Sequence, residues 1–585
     1  MIVAVLVGLA SCGGGSADTA PDDETGALPV TADLRFVDEA QTRGLTEAMS
    51  AIRTFGDVQM NGAAGVEDFD ADGDLDIYLP RYNLANLYLS NDGEGHFSPV
   101  DVGLDVEGAS GPPVVVDFDN DGDRDLFVSP TNYGIPFLMR NDGGAYVDVT
   151  VEAGIELERR DLGGEHGSFA YATTAFDVDN DRDLDLFVAE WGKVEQAHRV
   201  RDTQRGYLFV NKGGMHFEER SDDFGLGLLR EVAALTATAV DYSGDGSLDL
   251  LITGDFGTSK VLRSIRGERF VDETAKMLPG AAAVLGVDTG SAAGSQERVY
   301  NAMGSAIGPV GQHGGLGWFV TAIGQPDEAD DCFESADGLP QRFGLVVRCS
   351  GNRLFDVGSS GLADRTMAAG VRDGGWGWGA AIFDADLDGN HEIAMTNGYT
   401  YLTVEERNEE GLALKPGYEE AAEAATASIG RASRIDRNKL WALGGDDRYV
   451  DVAGSVGFDS ALQGRALIAF DADNDGDPDV LQINNGVVPP QLWINQGEPR
   501  HDWVKVRVEV AAGPPDCVGC VVELSRGDWK RTFLIRAGGG YVAHEPTEIL
   551  SGVGGSSGEV TVRVHAPGGT AVEGTAALNK LTVIR

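Results

Sequence analysis

Six stretches of the chain set acidic residues at alternate positions: DFDADGDLD from Asp68, DFDNDGDRD from Asp117, DVDNDRDLD from Asp177, DYSGDGSLD from Asp241, DADLDGNHE from Asp384 and DADNDGDPD from Asp471. In D-x-D-x-D-G-x-x-D the side chains at positions 1, 3, 5 and 9, with the backbone carbonyl of position 7, can wrap one hard cation, while the glycine permits a sharp turn. The first loop offers Asp68, Asp70, Asp72 and Asp76 with the Asp74 carbonyl, and the second Asp117, Asp119, Asp121 and Asp125 with that of Asp123. The third offers Asp177, Asp179, Asp181 and Asp185 with Asp183, and the fourth Asp241, Ser243, Asp245 and Asp249 with Ser247. The loop at Asp384 offers Asp386, Asp388 and Glu392 with Asn390, and the loop at Asp471 offers Asp473, Asp475 and Asp479 with Asp477.

Carboxylates this close repel one another when empty, so a dication compensates charge that the fold tolerates badly. Magnesium demands stricter octahedral geometry and zinc prefers His or Cys, which these loops lack apart from His391, so the donor set points to calcium, up to six ions per chain. An EF-hand or dockerin reading fails: position 12 of the first loop is Leu79 rather than Glu, and apolar strand-like runs flank the loop instead of helices. Ser243 and Glu392 predict weaker binding or shifted geometry in their loops. The expected role of the metal is to pin a turn between two strands, so chelation should lower the melting temperature.

The elements that must hold these loops repeat with them. Each loop lies between two short apolar runs, as in VVVDFDNDGDRDLFVSP, and a third run follows, as in NLYLSNDG, FLMRNDGG, YLFVNKGG and QLWINQG. A fourth recurs as YVDVTVEAGI, FEERSDDFGL, FVDETAKML, LFDVGSSGL and YVDVAGSVGF. The double gap between Asp241 and Asp384 holds MGSAIGPVGQHGGLGWFVTA, a fifth unit with Pro309, Gly311, His313 and Gly317 at the acid positions, predicting no metal there. Loops are therefore numbered 1 to 4, 6 and 7 after their units. Four strands per unit and seven units predict an all-β chain with a seven-bladed β-propeller over 34–497. FVDEAQTRGL at Phe36 precedes the first loop while no fourth run follows QLWINQG, so the N-terminal strand should complete the last unit and leave no long free edge.

Spacing between loop starts grows from 49 residues (68 to 117) to 87 (384 to 471). Later units thus carry insertions, notably an Ala/Glu-rich stretch within 402–438 read as a solvated helical decoration, and a basic loop at 191–206. From His501 the repeat gives way to alternating apolar and polar runs, a small separate antiparallel β-domain over 501–585.

Bulk composition agrees. The chain has 585 residues, 42% hydrophobic, with 81 Gly and no Gly-X-Y period, which suits many tight turns between short strands. A net charge of −49 argues against nucleic acid and anionic membrane surfaces as partners. The apolar run Ile2 to Leu9 is too short to span a bilayer but fits a signal-peptide core. Leu9-Ala10-Ser11-Cys12 resembles a bacterial lipobox, so 1–12 reads as a lipoprotein signal with Cys12 lipidated, and 13–33 as a flexible tether. The protein is then expected outside the cytoplasm, as a lipoprotein at a bacterial outer membrane or cell surface that touches membrane only through its anchor, or, if 1–12 belong to an ordinary cleaved signal peptide, as a secreted protein. The other four cysteines, Cys332, Cys349, Cys517 and Cys520, suit disulfides, most simply paired 332 with 349 and 517 with 520.

The repeated loops resemble the FG-GAP/VCBS repeats best known from integrin α-subunits, and 501–585, with GGGYVAHEP at 538–546, resembles the ASPIC/UnbV domain that follows such repeats in bacterial exported proteins and cartilage acidic protein. The resemblance implies a seven-bladed propeller, calcium in the loops and an extracytoplasmic location. This chain departs from it in CVGCVVEL, where a Gly-Ile-Gly-Ala-type turn is usual, and in the acid-free fifth unit.

Catalytic motifs are not evident. There is no H-E-x-x-H; Gly554 to Gly558 fits G-x-S-x-G only in a Gly/Ser turn before a strand; Arg526-Gly527-Asp528 falls at an expected hairpin turn; and Gly375-Trp376-Gly377-Trp378-Gly379 reads as close strand packing. Two functions survive: a binding or adhesion module for a protein or glycan, or an extracellular enzyme acting on polysaccharide or small molecules from a central funnel. Three or more Lys, Arg, Tyr or His side chains converging on one funnel mouth would favour the enzyme.

Overall fold

The computed structural model describes residues 34–585 except 48, 50–61, 109, 132–133, 158–159, 162–165, 168, 192–204, 256, 278–301, 324–350, 359–360, 399–435, 486–487, 498–500, 510–513, 555–557 and 570. The signal, Cys12, the tether, Cys332, Cys349 and nearly all of both insertions lie outside the described residues.

The described chain is all-β, and one plan recurs: four antiparallel strands joined in sequence order. Sheet 1 is Ala64–Glu67, Asp76–Leu79, Leu87–Asn91 and Phe97–Pro99; sheet 2 is Pro113–Val116, Asp125–Val128, Phe137–Asn141 and Tyr146–Asp148. Sheet 3 comprises Ala170–Phe176, Asp185–Glu190, Gly206–Asn211 and Phe217–Glu219, and sheet 4 Ala233–Val240, Asp249–Asp255, Lys260–Ile265 and Arg269–Asp272. Sheet 5 comprises Ala302–Val310, Gly315–Ala322, Arg353–Gly358 and Gly361–Asp364, and sheet 6 Gly377–Phe383, Glu392–Asn397, Lys439–Leu443 and Tyr449–Asp451. Sheet 7 has Gly464–Phe470, Asp479–Asn484 and Gln491–Asn495, and takes its fourth strand from the N-terminus: Phe36–Asp38 pairs antiparallel with Gln491–Asn495, Phe36 opposite Asn495.

Burial follows this order. First strands such as Ala170–Phe176 (AYATTAF) and Ala233–Val240 (AALTATAV) are buried at every position, so their small Ala and Thr residues let neighbouring strands approach closely. Fourth strands send in one aromatic at their first residue, Phe97, Tyr146, Phe217 or Tyr449, and expose the two residues that follow it.

The unit-5 segment departs from the expected loop. Ala302–Val310 and Gly315–Ala322 run through the aligned acid positions, Pro309 opposite Leu316, and close in a turn whose Gly311 and Gly314 have φ of 65° and 58°. LFDVGSSGL also sits differently from its expected place as a fourth strand: Leu354 to Gly358 belong to the third strand of sheet 5, and the fourth begins only at Gly361. The two β runs inside that stretch are joined by so short a connection that the sequence shows them as one.

Beyond residue 501 two sheets pack on a core that includes Val504, Val506, Val522, Leu524, Val560, Val562 and Val564. One sheet orders Ile549–Gly552, Trp503–Val508 and Leu581–Ile584; the other orders Trp529–Leu534, Val521–Arg526, Val560–His565 and Val572–Ala576. Trp503–Val508 and Leu581–Ile584 pair in parallel, against the antiparallel expectation. Cys517 and Cys520 form a disulfide, and Arg526-Gly527-Asp528 is the hairpin turn between Val521–Arg526 and Trp529–Leu534.

This C-terminal part has its own core, yet it is not separate. Ala537–Gly538 adds to sheet 3 beside Thr174 and Ala175, and Ala543–His544 adds in parallel to sheet 1 beside Ala64 and Gly65. The hairpin between them touches first strands on every side. A Cβ on Gly538 would meet Thr173 O at 2.6 Å and Val114 at 3.1 Å, one on Gly539 would meet Ala237 O at 2.9 Å, and one on Gly304 would come within 3.1 Å of Tyr541. With φ of 78° and 90°, Gly538 and Gly539 are required by conformation and by space.

Candidate metal centres

Every acidic loop follows a first strand and leads into a second, so all lie at one end of the strands. Their backbones repeat closely: position 4 is left-handed in Ala71, Asn120, Asn180, Leu387 and Asn474, with φ from 57° to 65°. Position 6 is left-handed as well, as Gly in loops 1, 2, 4, 6 and 7 and as Arg182 (φ 79°) in loop 3. In each loop the carboxylate at position 5 accepts the position 7 N–H, at 2.7 to 3.1 Å.

Five loops bring three acids together with donor oxygens within 4.8 Å of one another: Asp68, Asp70 and Asp72; Asp117, Asp119 and Asp125; Asp177, Asp179 and Asp185; Asp384, Asp386 and Glu392; and Asp471, Asp473 and Asp479. Positions 1, 3 and 9 converge in four of these, whereas loop 1 gathers positions 1, 3 and 5. The expected four-carboxylate shell is thus three carboxylates per cluster, with position 5 left out in loops 2, 3, 6 and 7 and position 9 left out in loop 1, where Asp76 also accepts from Tyr88 Oη at 2.9 Å. Asp241, Ser243, Asp245 and Asp249 form no such cluster; Asp241 accepts the N–H groups of Gly244, Asp245 and Gly246.

A cation is called for by oxygens that nothing in the protein satisfies. Oδ1 of Asp68, Asp384 and Asp471 at position 1, and Oδ1 of Asp119, Asp179 and Asp473 at position 3, are buried without a hydrogen-bond partner. Each of the five clusters contains at least one such atom, and loop 4 contains none. An isolated buried carboxylate oxygen is costly, and a bound cation removes the cost. Where the clusters hold no metal, burial first and neighbouring acids second push Asp386 up to about 7. Burial, opposed by N–H donors, takes Asp125 to about 8 and Asp117 and Asp177 to about 6. The donors are all oxygens, as a hard cation requires. His391, buried in loop 6, packs edge-on to Phe533 at 5.3 Å and belongs to no cluster.

Two features of these centres escaped the sequence reading. The first is an Asn at the end of the third strand. Position 9 carboxylates accept its backbone N–H, from Asn91, Asn141, Asn211 and Asn495, at 2.7 to 2.9 Å. Its side chain then reaches the position 2 carbonyl of the preceding sheet's loop: Asn91 to Ala472 O, Asn211 to Phe118 O and Asn495 to Ala385 O, each 2.8 Å. The Asn recurs in SNDG, RNDGG, VNKGG and INQG, so the signal was present in the repeat.

The second is the C-terminal part, which caps the acidic end. Lys505 Nζ donates to Asp471 Oδ2 at 2.6 Å, Arg507 to Asp68 Oδ2 at 3.2 Å, and Gly552 N to Asp384 Oδ2 at 2.9 Å. In loops 1, 6 and 7 the cap therefore holds one oxygen of the position 1 carboxylate and leaves the other bare. Arg124, at position 8 of loop 2, bridges Asp516 at 3.0 Å and Glu67 at 3.6 Å. No local pattern announced these pairs, which join residues far apart in the chain.

Residues 68–128 and 177–252 match the FG-GAP-like repeat. Those stretches hold loops 1 to 4. Loops 6 and 7 fall outside the match but keep the same strand order and cluster geometry. No curated protein matches the chain. Among solved structures, BBS1N in complex with ARL6DN is similar over 78% of this chain and 96% of its own, at 8% identity and TM-score 0.40. The exotype rhamnogalacturonan lyase YesX is similar over 80% and 77%, at 12% identity and TM-score 0.34, and rhamnogalacturonan lyase YesW over 76% and 73%, at 11% and 0.34. Likeness at this level carries no inference about function.

Proposed function

We propose that this chain is an exported binding module: a closed seven-bladed β-propeller whose acidic loops take calcium and whose C-terminal part, an ASPIC/UnbV-like domain, caps the calcium end. The observation that carries the reading is the coincidence of buried, unpartnered carboxylate oxygens with the five three-acid clusters. Closure is supported by Phe36–Asp38 completing sheet 7 and by a hairpin in contact with first strands on all sides. Calcium would supply a rigid positive centre at each loop, and the chain's own residues hold the loops open for it. The Leu-Ala-Ser-Cys12 sequence supports a lipid anchor at the cell surface.

Calcium titration of the chelated protein by calorimetry, with a melting curve at each end, tests this. Five sites with a large rise in melting temperature are expected, the geometry of loop 4 lowering the count from six. One or two sites with little stabilisation would sink the proposal.

A second reading, an extracellular enzyme, is favoured by the convergence of Tyr171, Arg465 and Tyr541 between the first strands. Binding is preferred because burial raises both phenols well above their ordinary range, and the Arg465 guanidinium donates to the Gly398 and Gly464 carbonyls, leaving no base in that trio.

A further inference from the structure

The five acid clusters are consecutive. Asn91 of sheet 1 reaches Ala472 O of loop 7, so units 7 and 1 are neighbours, and the clusters stand in an unbroken row: loops 6, 7, 1, 2 and 3. Loop 4, which gathers no cluster, and the acid-free turn of unit 5 lie outside that row.

The Asn at the end of the third strand follows the same division. At one and the same place in the sheet register, units 7, 1, 2 and 3 carry Asn495, Asn91, Asn141 and Asn211, whereas units 4, 5 and 6 carry Ser264, Val357 and Leu443. The Asn thus stands in a unit where that unit and the one before it both hold a cluster, and at the three other steps it is replaced. Ser264 keeps its N–H on Asp249 at 2.8 Å, but its hydroxyl accepts Gly267 N, and the side chains of Val357 and Leu443 are apolar.

Each Asn is at most 5% exposed and ties two loops together. Asn495 N donates to Asp479 of loop 7 at 2.7 Å, while its side chain donates to Ala385 O, between Asp384 and Asp386 of loop 6, at 2.8 Å. Asn211 joins Asp185 to Phe118 O, between Asp117 and Asp119, in the same way. Asn141 joins Asp125 to Phe69 O, between Asp68 and Asp70, with its amide at 3.5 Å. The Asn91 step differs because Asp76 stands outside the loop 1 cluster, but a second bond serves there, from Asn474 of loop 7 to Asp74 of loop 1 at 2.7 Å. Loops 2 and 3 share such a bond too, from Asn120 to Asp183 at 2.8 Å.

We propose that these asparagine latches couple the five centres into one row that fills with calcium cooperatively. A position 9 acid fixed on an ion fixes its Asn, and the Asn steadies the backbone between the position 1 and position 3 acids of the preceding loop. Ordering one loop therefore lowers the entropic cost of ordering the next, and the effect is reciprocal. The proposal rests on the calcium reading of the loops. Coupling through one hydrogen bond is about fivefold per link, and five like centres linked in a row then fill with a Hill coefficient of about 1.8.

The test is calcium binding by calorimetry on the full-length chelated protein, with a melting curve for each variant. Asn141→Ser with Asn495→Ser installs the residue that unit 4 uses and cuts the row at the two steps that lack a second bond, leaving loop 6 alone and two pairs. The Hill coefficient should fall to about 1.3, with all five centres still filling. Asn141→Ser by itself, which serves if the double variant misfolds, should give about 1.5. Asn352, equally buried in acid-free unit 5, donates to Val371 O and accepts Ala322 N, so Asn352→Ala should lower the melting temperature as the latch variants do yet leave the coefficient at the parent's value. Independent filling in the parent, an unchanged coefficient in both latch variants, or an equal fall in Asn352→Ala would overturn the proposal. Five ions bound independently would remove this inference alone, whereas one or two bound would remove the calcium reading and this inference with it.

Discussion

Replacing Lys505 by Met keeps the aliphatic stem and removes the charge that faces loop 7. Its ammonium lies 2.6 Å from Asp471 Oδ2, both side chains are buried at 8% and 1% exposure, and Glu548 stands 3.7 Å away. At an effective dielectric of about 20 the pair attracts by about 6 kcal/mol, most of which offsets desolvation of the two groups. Breaking such a pair from one side costs about 3 to 5 kcal/mol, because the other charge is left buried. In the chelated protein Lys505 is the cation closest to Asp471, so Lys505→Met should lose that full amount in urea denaturation. In saturating calcium the metal neutralises the same carboxylate, and the loss should shrink to about 1 to 2 kcal/mol, the range for a lost buried contact. By linkage the variant should bind calcium at loop 7 more tightly than the parent. Urea melts of both proteins, with and without chelator, measure the difference. Equal losses in the two conditions would show that Lys505 and metal do not share Asp471, and the cap would then have no electrostatic link to the loops.

Two further outcomes follow from the same centres. Because burial raises Asp117, Asp177 and Asp386 to about 6, 6 and 7 and Asp125 to about 8, the folded metal-free chain binds more protons than the unfolded one between about pH 4 and 8. Its stability should therefore rise as pH falls from 8 to 5 while calcium affinity falls over the same window; denaturant melts in chelator that improve with rising pH would refute the assignment. Asn211→Ala removes bonds to Phe118 O and Leu184 O at a fully buried site and should cost about 2 to 4 kcal/mol, measured by urea melting, whereas a loss below about 0.5 kcal/mol would mean that the latch between sheets 2 and 3 is incidental.

Much of this molecule was settled locally. Acid spacing, β-branched runs and their recurrence fix which residues make turns and which make strands, since both depend on contacts within a few positions; loops 1 to 4, 6 and 7, the third-strand Asn and the N-terminal strand that completes sheet 7 were all written in the repeat. The loss of acids from unit 5 was legible for the same reason, whereas the extension of its two strands to a turn at Gly311 to Gly314 was not. Tertiary structure alone decided which carboxylates converge and which turn to the backbone, because that depends on backbone angles within each loop and on the Asn N–H from another strand. It also decided that Lys505, Arg507 and Gly552 cap loops 7, 1 and 6, and that Tyr541 lies among the first strands, because these contacts join segments separated by tens to hundreds of residues and leave no period in the sequence.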